Sequence, residues 1–194
     1  KKGKTVYSRW DIKQEEINKR SSEYDIILGK MHDADHKYLN NYDIILLPIR
    51  NILDAAISAG VRWDGGDTST KFYINQCNSN INLFNKFKLN ADLIFRYESY
   101  NVHNIKKLCT TLNTNLEIHD IIDIMIQLDS MHNSKDIVKT DNHKDKKYQK
   151  TLLSQDHNTS NGKTNKFINL PNEKLNDILK EKNISTFLEE HFYF

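Results

Sequence analysis

The feature that most constrains the fold of this chain is a continuous apolar run that passes directly into a helical pattern. Residues Tyr42 to Arg50 read Tyr-Asp-Ile-Ile-Leu-Leu-Pro-Ile-Arg, which is typical of a parallel strand covered on both faces. Pro48 predicts that the strand's hydrogen-bond ladder stops there, because proline has no N–H. Residues 51–60 then favour a helix that Asn51 can cap and Gly60 can end.

The same alternation of strands and helices continues along the chain. Further strands are predicted over 5–8, 24–29 and 91–97, and further helices over 72–87, 102–112 and 116–131. Pro171 opens another helix, and Ser185 is predicted to cap the last one. Because no hairpin signal separates the strands, the pattern predicts a three-layer, P-loop-like α/β fold in which helices flank a mostly parallel central sheet.

The distribution of apolar residues favours one domain over residues 1–194. The stretch at about 132–166 is rich in charged residues, Asn and Ser, and is predicted to be a polar loop or lid. The isoleucines between Ile118 and Met131 are expected to lie in the core. Ligands of such folds bind beyond the carboxyl ends of the strands, so the functional residues are expected there.

Charge and composition narrow the classes of partner. The chain has 28 Lys and Arg against 26 Asp and Glu, a net charge of +2, which is too balanced to favour nucleic-acid binding. No apolar run is long enough for a membrane span. Cys77 and Cys109 have no metal-ligand spacing, and no cluster of His, Cys and carboxylates indicates a metal. A cytoplasmic location is the expectation from this pattern.

Residues suited to anion chemistry stand at the strand ends. Arg50 follows the strongest strand and can bind a phosphate through two hydrogen bonds, and Ser58 in the following helix can donate to the same anion. The start of that helix is expected to add backbone N–H donors. Lys30 can place a charge on a leaving oxygen, and His32 can accept a proton near neutral pH.

These residues resemble the signature of the sulfotransferase family. Lys30-Met31-His32 resembles the family's Lys-x-His, and the stretch from Arg50 to Ser58 resembles its R-[ND]-x-x-D-x-x-x-S motif. The resemblance implies that Arg50 and Ser58 bind the 3′-phosphate of 3′-phosphoadenosine 5′-phosphosulfate (PAPS). It also implies that His32 is the catalytic base and that Lys30 supports it electrostatically. Tyr97 corresponds to the family's tyrosine near the adenine.

A second part of the resemblance lies near the C-terminus. The segment from His157 to Lys163 is similar to a family loop with basic and glycine residues that closes on the 3′-phosphate. The residues carried over from that loop are Ser160, Asn161, Gly162 and Lys163. The resemblance covers roughly residues 26 to 194.

The chain departs from the family pattern at its start. The family has an N-terminal strand that runs into a P-K-S-G-T-T-like loop, which holds the 5′-phosphosulfate. Gly3-Lys4-Thr5 has only a trace of that chemistry and no apolar strand before it. The expectation is that the true loop lies upstream of Lys1.

The resemblance implies transfer of a sulfuryl group from PAPS to a hydroxyl or amine of a small molecule or glycan. The product nucleotide would be adenosine 3′,5′-bisphosphate, and no metal would be needed. Two alternatives remain open: a P-loop nucleotide kinase or NTPase built on Gly3-Lys4-Thr5, and a non-catalytic nucleotide-binding module. Magnesium-dependent ATP binding would indicate the kinase, and bisphosphate binding without transfer would indicate the module. The acceptor and the oligomeric state are not encoded in any motif.

Overall fold

A computed structural model describes residues 6–10, 14–30, 39, 42–63, 68–132 and 164–192. For residues 6–10, 30, 61–63 and 128–132 it describes the backbone alone. The chain divides into two compact units, one formed by Lys1–Asp43 with Met131–Thr159 and the other by Ile44–Ser130 with Ser160–Phe194.

The first unit contains a β-α-β segment. Strand β1 spans Val6–Trp10, helix α1 spans Gln14–Arg20 and strand β2 spans Ile26–Lys30. The two strands pair in parallel, with Val6 opposite Ile26 and Trp10 opposite Lys30. Parallel pairing of sequential strands requires a crossover, which α1 supplies. The strands and their parallel pairing follow the sequence prediction closely.

The second unit contains a second parallel strand pair and most of the helices. Strand β3 (Leu46–Ile49) pairs with β4 (Leu93–Arg96) so that Leu46 lies opposite Leu93 and Ile49 opposite Arg96. The helices are α2 (Ile52–Trp63), α3 (Thr70–Phe87), α4 (Val102–Thr111), α5 (Ile118–His132), α6 (Asn172–Leu179) and α7 (Lys182–Phe192). Short 3-10 turns occupy Tyr97–Ser99 and Lys166–Asn169.

One hydrophobic core joins β3 to four helices of the second unit. Its buried side chains come from β3, α2, α3, α6 and α7. They are Ile49, Ile52, Leu53, Ala56, Tyr73, Cys77, Ile81, Phe84, Ile178, Ile184, Phe187 and Leu188. A smaller cluster joins Ile105 and Cys109 of α4 to Ile121 of α5. Because α6 and α7 pack on α3 and the 3-10 turn at Lys166–Asn169 packs on α2, residues 166–192 are held against both helices.

The fold is mixed α/β and mostly helical, and the described strands pair only in parallel, as predicted. These strands form two two-stranded sheets instead of the single central sheet that the sequence predicted. Strand β3 is shorter than the predicted 42–49 strand, because the Ile45 N–H donates to the Asp92 carboxylate at 2.7 Å instead of to a strand partner. Pro48 lies within β3 and is exposed, so β3 is not covered on both faces.

Three helix predictions are wrong in detail. Helix α2 continues past Gly60 to Trp63. Ser185 does not cap the last helix, because α7 begins at Lys182 and the Ser185 hydroxyl donates back to the Lys182 carbonyl at 3.1 Å. Of the α5 isoleucines only Ile121 is buried; the others are exposed, up to 61% for Ile126. Ile121 and the partly buried Met125, one turn later, pack against α4, while the other isoleucines of α5 are exposed.

Candidate functional site

The ends of β3 and β4 bring the first two predicted site residues together. Because Ile49 and Arg96 are paired across the parallel strands, Arg50 and Tyr97 follow directly at the ends of the two adjacent strands. The Arg50 guanidinium carbon lies 5.0 Å from the centroid of the Tyr97 ring, within the range of a cation–π contact. Tyr97 is 41% exposed, so its ring is also open to solvent. The ends of β3 and β4 therefore lie side by side, whereas the strand that ends at Lys30 belongs to the other two-stranded sheet.

The start of α2 is tied down by the protein itself. Asn51 Oδ1 accepts from the backbone N–H of Leu53 at 3.0 Å and of Asp54 at 3.3 Å, so Asn51 is the predicted N-cap. The Asn51 N–H in turn donates to Glu98 Oε1 at 2.7 Å. These amides therefore have protein partners. Donation from these three amides to a bound anion would therefore require them to exchange their present partners.

Ser58 lies in the second turn of α2 and connects two parts of the chain. Its hydroxyl donates to the Asp54 carbonyl at 2.8 Å and accepts from Lys166 Nζ at 2.8 Å. Lys166 begins the 3-10 turn at Lys166–Asn169, which packs against α2. The single proton of the Ser58 hydroxyl is donated to the Asp54 carbonyl, so Ser58 could donate to a bound anion only by giving up that bond.

The Lys166 ammonium group is held in an unfavourable electrostatic position. Burial lowers the pKa of Lys166 from its ordinary value, and the nearby Arg50 guanidinium lowers this pKa further. The Asp54 carboxylate acts in the opposite direction and raises the pKa of Lys166. Arg50 and Lys166 are therefore close enough for their charges to interact. We call Arg50, Ser58 and Lys166 the cation cluster.

The backbone around Lys166 is fixed from both sides. Asn165 adopts a left-handed conformation with φ 60° and ψ 33°, which asparagine tolerates better than most residues. The Phe167 N–H donates to Asp54 Oδ1 at 3.2 Å. Asp54 is fully buried, and its second oxygen has no hydrogen-bond partner among the described residues. The side chain of Lys166 thus leaves a backbone that is attached to α2.

A cavity of about 230 Å³ lies next to the cation cluster without including it. Asn51, Glu98 and Phe167 contribute to its wall, together with Arg96 and Phe192. The Arg96 guanidinium carbon lies 4.9 Å from the centroid of the Phe192 ring. Neither Arg50 nor Ser58 lines this cavity, so the predicted phosphate-binding residues and the cavity are separate features.

The other predicted site residues fall outside these contacts. His32 and the loop residues Ser160, Asn161, Gly162 and Lys163 lie outside the described residues, as does Gly3-Lys4-Thr5. Lys30 is the last residue of β2 in the first unit, and its side chain is not described. Their predicted roles stay predictions.

Two residues at the cation cluster, Lys166 and Asp54, were not predicted as site residues from the sequence. Lys166 was assigned to the end of the polar stretch, and the only local signal for it is that apolar residues return with Phe167. Asp54 was recognised only as part of a motif. Its burial was not apparent, because an acid in the first turn of a helix is usually explained by the helix dipole. Both residues act through contacts that are distant in sequence.

In the described part of the chain, no group of three or more His, Cys, Asp or Glu residues could hold a metal ion. None of the helices found there combines the length and apolarity that crossing a bilayer would require. Comparison of the chain with protein-family models, curated proteins and solved structures finds no match.

Proposed function

We propose that this protein is a PAPS-dependent sulfotransferase whose cation cluster binds the 3′-phosphate of the nucleotide. The supporting observation is the 2.8 Å hydrogen bond that holds Lys166 on Ser58, within reach of the charge of Arg50. Two cations whose charges act on each other, one of them hydrogen-bonded to a hydroxyl, offer the positive charge that a phosphate dianion requires. Binding such an anion would stabilise both charges.

The position of the cluster also supports a nucleotide ligand. Arg50 follows the end of a parallel strand, which is where ligands of α/β folds bind. Tyr97 offers an aromatic ring beside Arg50, at the position the family uses near the adenine. A three-layer arrangement around a mostly parallel sheet is part of this proposal, supported by the parallel pairing of β3 with β4 and by the helix that follows β3.

The donor would supply a sulfuryl group for an acceptor hydroxyl or amine, with adenosine 3′,5′-bisphosphate as the leaving product. The chain's own residues would position the reactants and neutralise charge, as in phosphoryl transfer. Arg50, Ser58 and Lys166 would hold the 3′-phosphate. His32 would accept the proton of the acceptor, and Lys30 would stabilise negative charge on the leaving oxygen. No step requires a metal ion.

Isothermal titration calorimetry with adenosine 3′,5′-bisphosphate in the absence of magnesium tests this proposal. We expect Arg50→Ala and Lys166→Ala each to weaken binding by about 2 kcal/mol, the scale of a hydrogen bond to a charged group. Lys106→Ala removes the same charge from an exposed position on α4 and is the control. Unchanged affinity in Arg50→Ala would contradict the proposal. Magnesium-dependent binding of ATP in place of the bisphosphate would instead support a nucleotide kinase.

A further inference from the structure

Asp54 is hydrogen-bonded to Ser58 of the cation cluster and to Phe167, the residue that follows Lys166. Its backbone carbonyl accepts from the Ser58 hydroxyl at 2.8 Å, and its carboxylate accepts from the Phe167 N–H at 3.2 Å. The second of these contacts joins residues 113 positions apart in the chain. Asp54 therefore holds the helix that carries Ser58 and the segment that carries Lys166 at one point.

A fully buried carboxylate needs an explanation beyond the helix dipole. Removing a charge from water is costly unless hydrogen bonds and nearby opposite charges compensate. Asp54 has one such hydrogen bond in the described part of the protein, from Phe167. A carboxylate at an exposed helix start would interact with the helix dipole without the cost of leaving water. The free-energy cost of burying Asp54 is offset by the contact that it makes between α2 and the backbone at Phe167.

We propose that Asp54 is a positioning residue that fixes the Phe167 amide and so keeps the Lys166 ammonium group on Ser58. Asp54 does not touch the anion. This inference deepens the proposed function, since the ligand it refers to is the 3′-phosphate. The positioning itself is a property of the free protein and can be measured without ligand.

Because Asp54 is charged, the direction in which its variants change the affinity for the bisphosphate tests the proposal. A carboxylate near an anion site repels the anion, so loss of its charge by itself should tighten binding. Asp54→Asn keeps the shape and an oxygen that can accept from Phe167, but removes the charge. Asp54→Ala removes both the charge and the acceptor. If Asp54 acts only through its charge, both variants bind the bisphosphate more tightly.

For binding, we expect the two variants to differ in direction. Asp54→Asn should bind adenosine 3′,5′-bisphosphate as tightly as the wild type or more tightly, and Asp54→Ala should bind it roughly tenfold more weakly, the effect of losing one hydrogen bond that orders a charged group. Asp177→Ala, which removes an exposed acid on α6 and its ion pair with Lys180, should leave affinity unchanged. Equal changes in both Asp54 variants would overturn the proposal.

A second measurement needs no ligand. The Lys166 amine can be titrated by NMR of a protein with labelled lysine side chains, with Lys166→Arg used to assign the signal. In Asp54→Asn the ammonium stays in place but loses an opposite charge, so the pKa of Lys166 falls further. In Asp54→Ala the side chain is released to solvent, so this pKa rises toward its ordinary value. Shifts in the same direction would overturn the proposal.

These two measurements separate failure of the inference from failure of the proposed function. If the wild type does not bind the bisphosphate, the proposed function is wrong and the Lys166 titration still decides the role of Asp54. If the wild type binds but the Asp54 variants change together, the function stands and the positioning role is wrong. If Asp54→Ala does not fold, Asp54→Asn can still overturn the inference, because weaker binding or a raised pKa of Lys166 in that variant would contradict it.

Discussion

At Lys166 a positive charge is held where burial and a neighbouring guanidinium both oppose it. The pKa of Lys166 is lowered by burial and by Arg50, and Asp54 only partly offsets these effects. The folded protein therefore favours the neutral amine more than the unfolded chain does. A bound phosphate would reverse this preference, because its negative charge stabilises the ammonium form.

The affinity for adenosine 3′,5′-bisphosphate should consequently depend on pH. The bound form has the higher pKa at Lys166, so binding takes up a proton, and affinity falls as pH rises through the lowered pKa of the free protein. The decrease should approach tenfold per pH unit, the limit for one titrating group. Calorimetry between about pH 7 and pH 10 measures it. Lys166→Arg keeps a permanent charge and should flatten the profile; parallel profiles would contradict this account.

Single residues also show where sequence patterns were sufficient. The cap at Asn51 was predicted from neighbouring residues and is confirmed, and the contact of Arg50 with Tyr97 follows from the parallel register of β3 and β4. Lys166 was missed because nothing within a few residues of it indicates a contact with Ser58, which lies 108 positions earlier.

At the scale of elements, local signals predicted the helices better than their ends or their environment. The predicted 72–87 helix is α3, which begins at Thr70 because Ser69 accepts from the Phe72 N–H at 3.1 Å. The predicted 116–131 helix is α5, but its isoleucines are largely exposed. Helix formation depends on local spacing, whereas burial depends on which partner the fold provides.

The two serines at Ser69 and Ser185 allow this distinction to be tested. Ser69 caps α3, so Ser69→Ala should lower the free energy of unfolding by about 1 kcal/mol. Ser185 lies inside α7, where its hydroxyl bonds back to a carbonyl, so Ser185→Ala should be neutral or slightly stabilising. Urea unfolding of both variants measures the difference. A larger loss in Ser185→Ala would contradict the observed helix start.

At the scale of the whole second unit, the C-terminal helix closes the core. His191 of α7 packs between the rings of Phe84 and Phe187, with centroid distances of 4.8 and 4.6 Å. Burial lowers the pKa of His191; Lys88 and Arg96 lower it as well, and Glu190 raises it. The folded protein therefore favours the neutral imidazole at a point where three elements meet.

This arrangement predicts a loss of stability in mild acid. Because the pKa of His191 is lower in the folded than in the unfolded chain, stability is complete above the ordinary histidine pKa and decreases as pH falls below about 6.5. His191→Gln should reduce the decrease in Tm between about pH 7.5 and pH 5. His103→Gln, on the exposed side of α4, should keep the wild-type slope. Identical slopes in all three proteins would contradict a role for His191.

The sequence by itself determined the parallel direction of strand pairing, the order of strands and helices, the cap of α2 and the strand-end position of Arg50. These features depend on hydrophobic periodicity and on hydrogen bonds between residues a few positions apart. The tertiary structure decided that Lys166 joins Ser58, that Asp54 is buried under Phe167 and that most isoleucines of α5 face outward. The first two depend on chain segments that are 108 and 113 positions apart. The third depends on how little of the α5 surface packs against α4, and none of the three leaves a local pattern.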